Sequence, residues 1–155
     1  MTNVWACLPE PGKGSNIGTL LRTCDAFGCG LIVAAQPNIE EKLRHGSRLP
    51  KEQLPAVKFI PDDRDLQIQW LQERAFAGAE IIGLECSDTA IPMRNYLPTS
   101  GKEVILMGGH ERKGIPNDLL RCCHHVLCLP QEGFDLSMNI IVAMSIGLAK
   151  IQGFV

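Results

Sequence analysis

Short apolar runs alternate along this chain with longer stretches in which apolar residues recur every three or four positions. The runs are Val4–Leu8, Leu31–Ala35, Val57–Ile60, Glu80–Leu84, Val104–Met107 and Val126–Leu129. Several are almost continuously apolar, which predicts strands covered on both faces. Helical spacing predicts helices at about Ile17–Phe27, Asp65–Gly78, Asn117–Cys122 and Ser137–Gln152. In the first of these, Ile17, Leu20, Leu21, Cys24 and Phe27 form one buried face, and Ser15 or Asn16 stands where an N-cap belongs. The last helix, within LSMNIIVAMSIGLAKI, is apolar nearly all the way round. That predicts burial on every side, in the core or against a second subunit, and a homodimer is the expectation. Strand and helix alternation of this kind means an α/β fold with a mainly parallel sheet flanked by helices. The 155 residues make a single domain, residues 1–155. The stretch Pro50–Arg64, rich in Pro and charge, predicts a solvated connection holding one short strand rather than a domain boundary.

Composition narrows the function classes without choosing one. Apolar residues make up 45% and charged residues 21%, as in an ordinary soluble globular protein. Fifteen Lys and Arg against 17 Asp and Glu leave a net charge of −2, so any anionic partner must be held by a local patch. Seven cysteines, an odd number without framework spacing, argue against disulfide stapling and lead us to expect a reducing, cytoplasmic location. No apolar run is long enough for a membrane span, and MTNVWACLPEPGKG lacks the basic head and apolar stretch of a signal peptide.

Three Gly- and polar-rich segments lie where a strand gives way to a helix, the position at which open α/β sheets bind ligands. The first, EPGKGSNIGTLLRTC (Glu10–Cys24), has glycines that permit close backbone approach and a helix start that could receive an anion. Its GKGS lacks the spacing of a phosphate-binding P-loop. Arg22 falls off the apolar stripe beside Thr19 and Thr23, where a solvated surface arginine is the simplest reading from the helix alone. The second, LMGGHERKGIPNDLL (Leu106–Leu120), runs from a strand through Gly108-Gly109 and a charged loop into a helix opened by Pro116. In the third, LCLPQEGFDLSMNIIVAMS, Ser137 or Asn139 could cap the apolar helix. The cluster Cys122-Cys123-His124-His125 with Cys128 has no C-x-x-C spacing, so no metal site is expected. Trp5 is assigned to the core.

Order and spacing together say more than any one segment. N-I-G-x-x-x-R after a strand, G-x-E-x-x-G-I-P in the middle and S-M-N before a C-terminal apolar helix resemble the three motifs of the SpoU (TrmH-like) family. These are RNA ribose 2′-O-methyltransferases of the SPOUT superfamily, and the resemblance runs from about Leu8 to Lys150. Arg44–Ser47 resembles a degenerate piece of the family's Arg/Ser segment. The resemblance implies S-adenosylmethionine as cofactor, a C-terminal trefoil knot and a dimer. It places Asn16 and Arg22 at the RNA and methyl-transfer site, with Glu111, Ser137 and Asn139 as further catalytic residues. Leu84, Gly109, Leu129, Ser137 and Met138 take cofactor-binding positions. Met138 stands where Leu is commoner, and S-M-N is similar to short, single-domain tRNA-modifying members.

Chemistry constrains the implied roles. A guanidinium is a poor base at neutral pH, so Arg22 is read as stabilising a developing alkoxide and gripping the neighbouring phosphate. An acidic residue beside RNA repels it, which makes Glu111 an orienting partner for Arg22 or Asn16. Lys13, Arg112 and Lys113 flank the same loops and either meet phosphates or face solvent. The expected substrate is tRNA, with ribosomal RNA second, because a short chain without an added RNA-binding domain resembles the tRNA-acting members. A module that binds S-adenosylmethionine or RNA without turnover is the alternative from a different class.

Overall fold

Strand β1 (Asn3–Leu8) runs through the middle of the sheet with its side chains split between two cores. Val4, Ala6 and Leu8 face one side, Trp5 and Cys7 the other, as the two-residue period of a strand requires. The computed structural model describes residues 3–99, 101–133 and 138–155. The further strands are β2 (Gly30–Ala34), β3 (Val57–Ile60), β4 (Glu80–Leu84), β5 (Ile91–Pro92), β6 (Glu103–Gly108) and β7 (His125–Cys128). They form one seven-stranded sheet in the order β3-β2-β1-β6-β4-β7-β5, and every strand pairing among the described residues is parallel. Helices α1 (Gly14–Phe27), α2 (Ile39–Ser47) and α5 (Ile140–Ile151) supply the first core, while α3 (Arg64–Phe76) and α4 (Asn117–Leu120) supply the second. The expected α/β architecture with helices on both faces is therefore present.

Three local expectations need correction, and a fourth is met on one side only. Helix α2 was not expected, because only Ile39, Leu43 and Ser47 of its nine residues are buried and two apolar positions make a faint stripe. Strand β5 adds a two-residue edge too short to register in the sequence. Helix α1 opens at Gly14, with Lys13 at the N-cap and no side-chain cap, rather than at Ser15 or Asn16. The amides of Asn16 and Ile17 both bond to the Lys13 carbonyl, so the helix starts on backbone alone and the Asn16 side chain is released for other work. Finally, α5 is not buried all round within one chain. Ile141, Met144 and Leu148 enter the core, but Val142 is 50% and Ile146 38% exposed on the far side.

The position of α1 depends on one close approach. A Cβ on Gly18 would stand 2.2 Å from the Cα of Gly46, and a Cβ on Gly46 would stand 2.7 Å from the Cα of Gly18. Both obstacles are backbone, so α1 and α2 cross at a distance only paired glycines allow. Gly18→Ala must force the helices apart, and we expect its thermal unfolding midpoint to fall by roughly 4–10 °C. An unchanged midpoint by differential scanning calorimetry would remove this crossing as a determinant of the fold. A second brace joins the loop before α1 to α4: the Arg64 guanidinium bonds Glu10 and, at 2.9 Å, Asp118.

Candidate active site

The chain walks outward from β1 through β2 to β3, then returns across the sheet to β4, so its connections diverge beyond the carboxyl ends of the central strands. Such a point opens a crevice. Next to that point lies a cleft of about 720 Å³, at the ends of β4, β6 and β7. Leu84, Gly109, Leu129 and Met138, all expected at the cofactor, line it together with Ile115 and Ile140. Aliphatic side chains alternating with polar and charged ones, in a volume of this order, suit a small organic ligand.

The loop from Gly109 to Gly114 forms the rim. His110 and Gly114 exchange backbone hydrogen bonds of 3.2 and 2.9 Å, closing a small hairpin whose tip carries exposed Glu111, Arg112 and Lys113. Arg112 donates its amide to His110 Nδ1 at 3.1 Å. Gly109 lies flush against the returning arm, where a Cβ would stand 2.3 Å from the Gly114 carbonyl carbon. Gly114 itself has φ +69°, a left-handed conformation that favours glycine. Both glycines of the second motif thus answer steric demands that the sequence pattern does not reveal.

Several lining residues escaped the sequence reading, among them Glu85, just past the expected Leu84. Its carboxylate accepts the Ile115 amide at 2.7 Å through Oε2 and the Cys86 amide at 3.1 Å through Oε1. An acidic residue directly after the apolar run EIIGL was the available signal. His110 and Gln131 also line the cleft, and Gln131 donates to Cys86 Sγ at 3.5 Å.

The first and second motifs meet in space. Asn16 Nδ2 donates to Glu111 Oε1 although the two residues are 95 positions apart. Of the two partners expected for Glu111, the structure therefore supplies Asn16 within one chain. Arg22 is elsewhere. Six residues beyond Asn16, it points roughly 120° away around the helix. It lines a second depression of about 430 Å³ with Ser15, Thr19, His45, Gly46 and Arg48. Nothing in the single chain brings Arg22 to the cleft.

The third motif is divided. Met138 lines the cleft, whereas Asn139 caps α5, its Oδ1 accepting the amides of Ile141 at 2.9 Å and Val142 at 3.4 Å. Ser137 lies outside the described residues. The basic residues also separate, with Arg112 and Lys113 on the cleft and Arg22 and Arg48 at the second depression.

The cysteine and histidine cluster turns to separate structural partners. Cys122 and Cys123 donate to the carbonyls of Asp118 and Leu119, His124 Nδ1 accepts the Ile81 amide at 3.0 Å, and His125 pairs with Glu80 at 3.4 Å. Burial pushes the Cys123 thiol up to about 12, which keeps it a protonated hydrophobe at neutral pH. Trp5, 6% exposed, is a core residue as expected, and Lys58 Nζ lies 3.9 Å from its ring centroid.

A parallel α/β sheet with its cleft beyond the carboxyl ends of its strands and a glycine-rich rim defines a class of ligand-binding α/β domain. Comparison with known proteins makes the assignment specific. The chain belongs to the SpoU rRNA Methylase family, whose family model matches residues 3–149. It is 29% identical over 84% of its length to the mouse tRNA (guanosine(18)-2′-O)-methyltransferase TARBP1, covering 8% of that protein. It is also 29% identical to the 23S rRNA (uridine(2479)-2′-O)-methyltransferase of Streptomyces viridochromogenes, over 84% of this chain and 45% of that one. Among solved structures, the AdoMet-bound rRNA methyltransferase from Sinorhizobium meliloti superimposes with a TM-score of 0.80 at 25% identity. That match covers 99% of this chain and 57% of the other. The chain thus spans between 8% and 57% of the length of these relatives.

Proposed function

We propose that this chain transfers a methyl group from S-adenosylmethionine to a ribose 2′-hydroxyl of RNA, with tRNA as the preferred substrate and ribosomal RNA second. The observation that carries this reading is the junction of two distant motifs at one cleft. Asn16 is bonded to Glu111 on the same rim whose base is Gly109. The family match and the named activities of the relatives support it.

The cleft fits the cofactor on its own features. Its volume lies in the range of small-molecule sites, and its lining combines aliphatic side chains (Leu84, Ile115, Leu129, Met138, Ile140) with polar groups such as Ser87, Asn117 and Gln131 that can meet a ligand carrying both kinds of surface. S-adenosylmethionine, when bound, supplies an electrophilic methyl on its sulfonium. Leu84, Leu129, Met138 and Ile140 would enclose it and exclude water. Glu111 fixes the orientation of the Asn16 amide, which can then address the substrate ribose. Arg112 and Lys113 on the rim offer charge to RNA phosphates, while Arg22, Arg48 and His45 form a second group suited to the same task.

Arg22 reaches a methyl-transfer centre only if a second copy brings it there. The reading therefore includes a homodimer with a composite site, and the half-exposed Val142 and Ile146 on α5 offer an apolar surface for it. Helix α5 adjoins α1 through Ser145 Oγ, which donates to Thr23 Oγ1 at 3.4 Å, so this surface continues toward the helix carrying Arg22. A trefoil knot in the C-terminal part and a cytoplasmic location complete the proposal, the first supported by the likeness to SpoU structures over almost the whole chain.

The test uses methyl-tritiated S-adenosylmethionine and total RNA, followed by alkaline hydrolysis. A 2′-O-methyl group blocks cleavage at its own nucleotide, so label is expected in alkali-stable dinucleotides derived from tRNA. Label in mononucleotides would indicate base methylation and overturn the ribose assignment. Cofactor binding without label in any RNA would favour the silent module.

A further inference from the structure

The geometry points to Glu85 as the positioning residue of the cofactor loop, a role for which the motifs give no cue and which rests on the cofactor reading above. Its carboxylate lies at the carboxyl end of β4 and lines the cleft. Oε2 accepts the Ile115 amide at 2.7 Å, and Oε1 accepts the Cys86 amide at 3.1 Å. The Gly114–Ile115 backbone is packed between two surfaces. On one side a Cβ added to Gly114 would stand 2.3 Å from Glu85 Oε2; on the other a Cβ added to Gly109 would stand 2.4 Å from the Ile115 nitrogen.

These contacts make a stack in which the carboxylate of β4 holds the returning arm of the hairpin against the end of β6. The tip of the hairpin carries Glu111, whose carboxylate accepts from Asn16. Glu85 therefore sets the height of the rim above the cleft and, through the hairpin, the place of Glu111. A charged acceptor suits this task, since hydrogen bonds to a carboxylate are about twice as strong as neutral ones. The backbone amide of Ile115 has no strand partner here, and without Glu85 it would be left unpaired beside an apolar wall.

Isothermal titration with S-adenosylmethionine and with its neutral product S-adenosylhomocysteine tests the role. Glu85→Ala is expected to raise both dissociation constants by roughly 10- to 100-fold and by equal factors, because the loop rather than the sulfonium charge has been lost. Glu85→Gln, which keeps one acceptor, should lie between Ala and wild type. In turnover the KM for S-adenosylmethionine should rise while kcat falls far less. Amide exchange at Ile115 should accelerate in Glu85→Ala while the β1 and β6 amides keep their protection, a readout that also separates local loosening from misfolding.

Gly114→Ala pushes on the same contact from the other side, so the double variant should bind no more weakly than the worse single. Wild-type affinity in Glu85→Ala would overturn the assignment, as would additive losses in the double variant. A loss confined to S-adenosylmethionine would replace it with a direct charge contact to the ligand. If the wild-type chain binds neither compound, the cofactor reading fails instead, while Ile115 exchange still reports on Glu85.

Discussion

On the proposed function, Arg22→Ala is expected to lower the methyl-transfer rate by roughly 100- to 1,000-fold and to leave the dissociation constant of S-adenosylmethionine at its wild-type value. The size follows from removing a guanidinium proposed to stabilise negative charge as the ribose oxygen attacks. The unchanged affinity follows from geometry. Arg22 lines a depression with Thr19 and Arg48, not the cleft that holds Leu84 and Gly109. Arg22→Lys should recover little of the rate, since an ammonium keeps the charge but cannot grip an oxyanion and a phosphate through a planar fork. Single-turnover assays at saturating cofactor, beside equilibrium titrations, check both halves. Near-normal turnover in Arg22→Lys would remove the bidentate role, and a large loss of cofactor affinity in Arg22→Ala would place the side chain in the cleft.

Gly109→Ala does the reverse. Its Cβ would meet the Gly114 carbonyl carbon at 2.3 Å and the Ile115 nitrogen at 2.4 Å, both backbone atoms of an arm already held by Glu85. No rotamer can relieve such a contact, so the hairpin must lift from the sheet edge and the rim of the cleft is lost. We expect S-adenosylmethionine binding to weaken by at least ~100-fold, measured by titration calorimetry. Binding within a few-fold of wild type would mean the loop plays no part in holding the cofactor.

The two inactive variants also test the composite site together. If Arg22 of one copy completes the cleft of another, a mixed dimer of Arg22→Ala and Gly109→Ala chains contains one site with both groups intact. Equal mixing with free exchange should then restore about a quarter of wild-type activity. No restoration, with exchange verified by differently sized tags, would assign each Arg22 to its own chain.

Much of the architecture was legible because it depends on local periodicity. The apolar runs Leu31–Ala35 and Val104–Met107 have no polar face to offer water, so they had to become central strands. Helix α2 was illegible for the same reason in reverse: two apolar residues in a charged nonapeptide make no stripe, and its place depends on Gly46 meeting Gly18 of α1. The cleft residues Leu84, Gly109, Leu129 and Met138 were legible only through the resemblance to the SpoU motifs. Glu85 was not, since its value lies in reaching an amide 30 positions away.

The amino-acid sequence by itself determined a parallel α/β chain with its chemistry at strand ends, because hydrophobic period and glycine placement act over a few neighbouring residues. Only the tertiary structure decided that Asn16 pairs with Glu111, that Glu85 holds the rim and that Arg22 turns away to a depression of its own. Those relations are set by the order of strands and the roll of α1 against α2. Both are settled by packing between segments that are distant along the chain, and no local pattern encodes them.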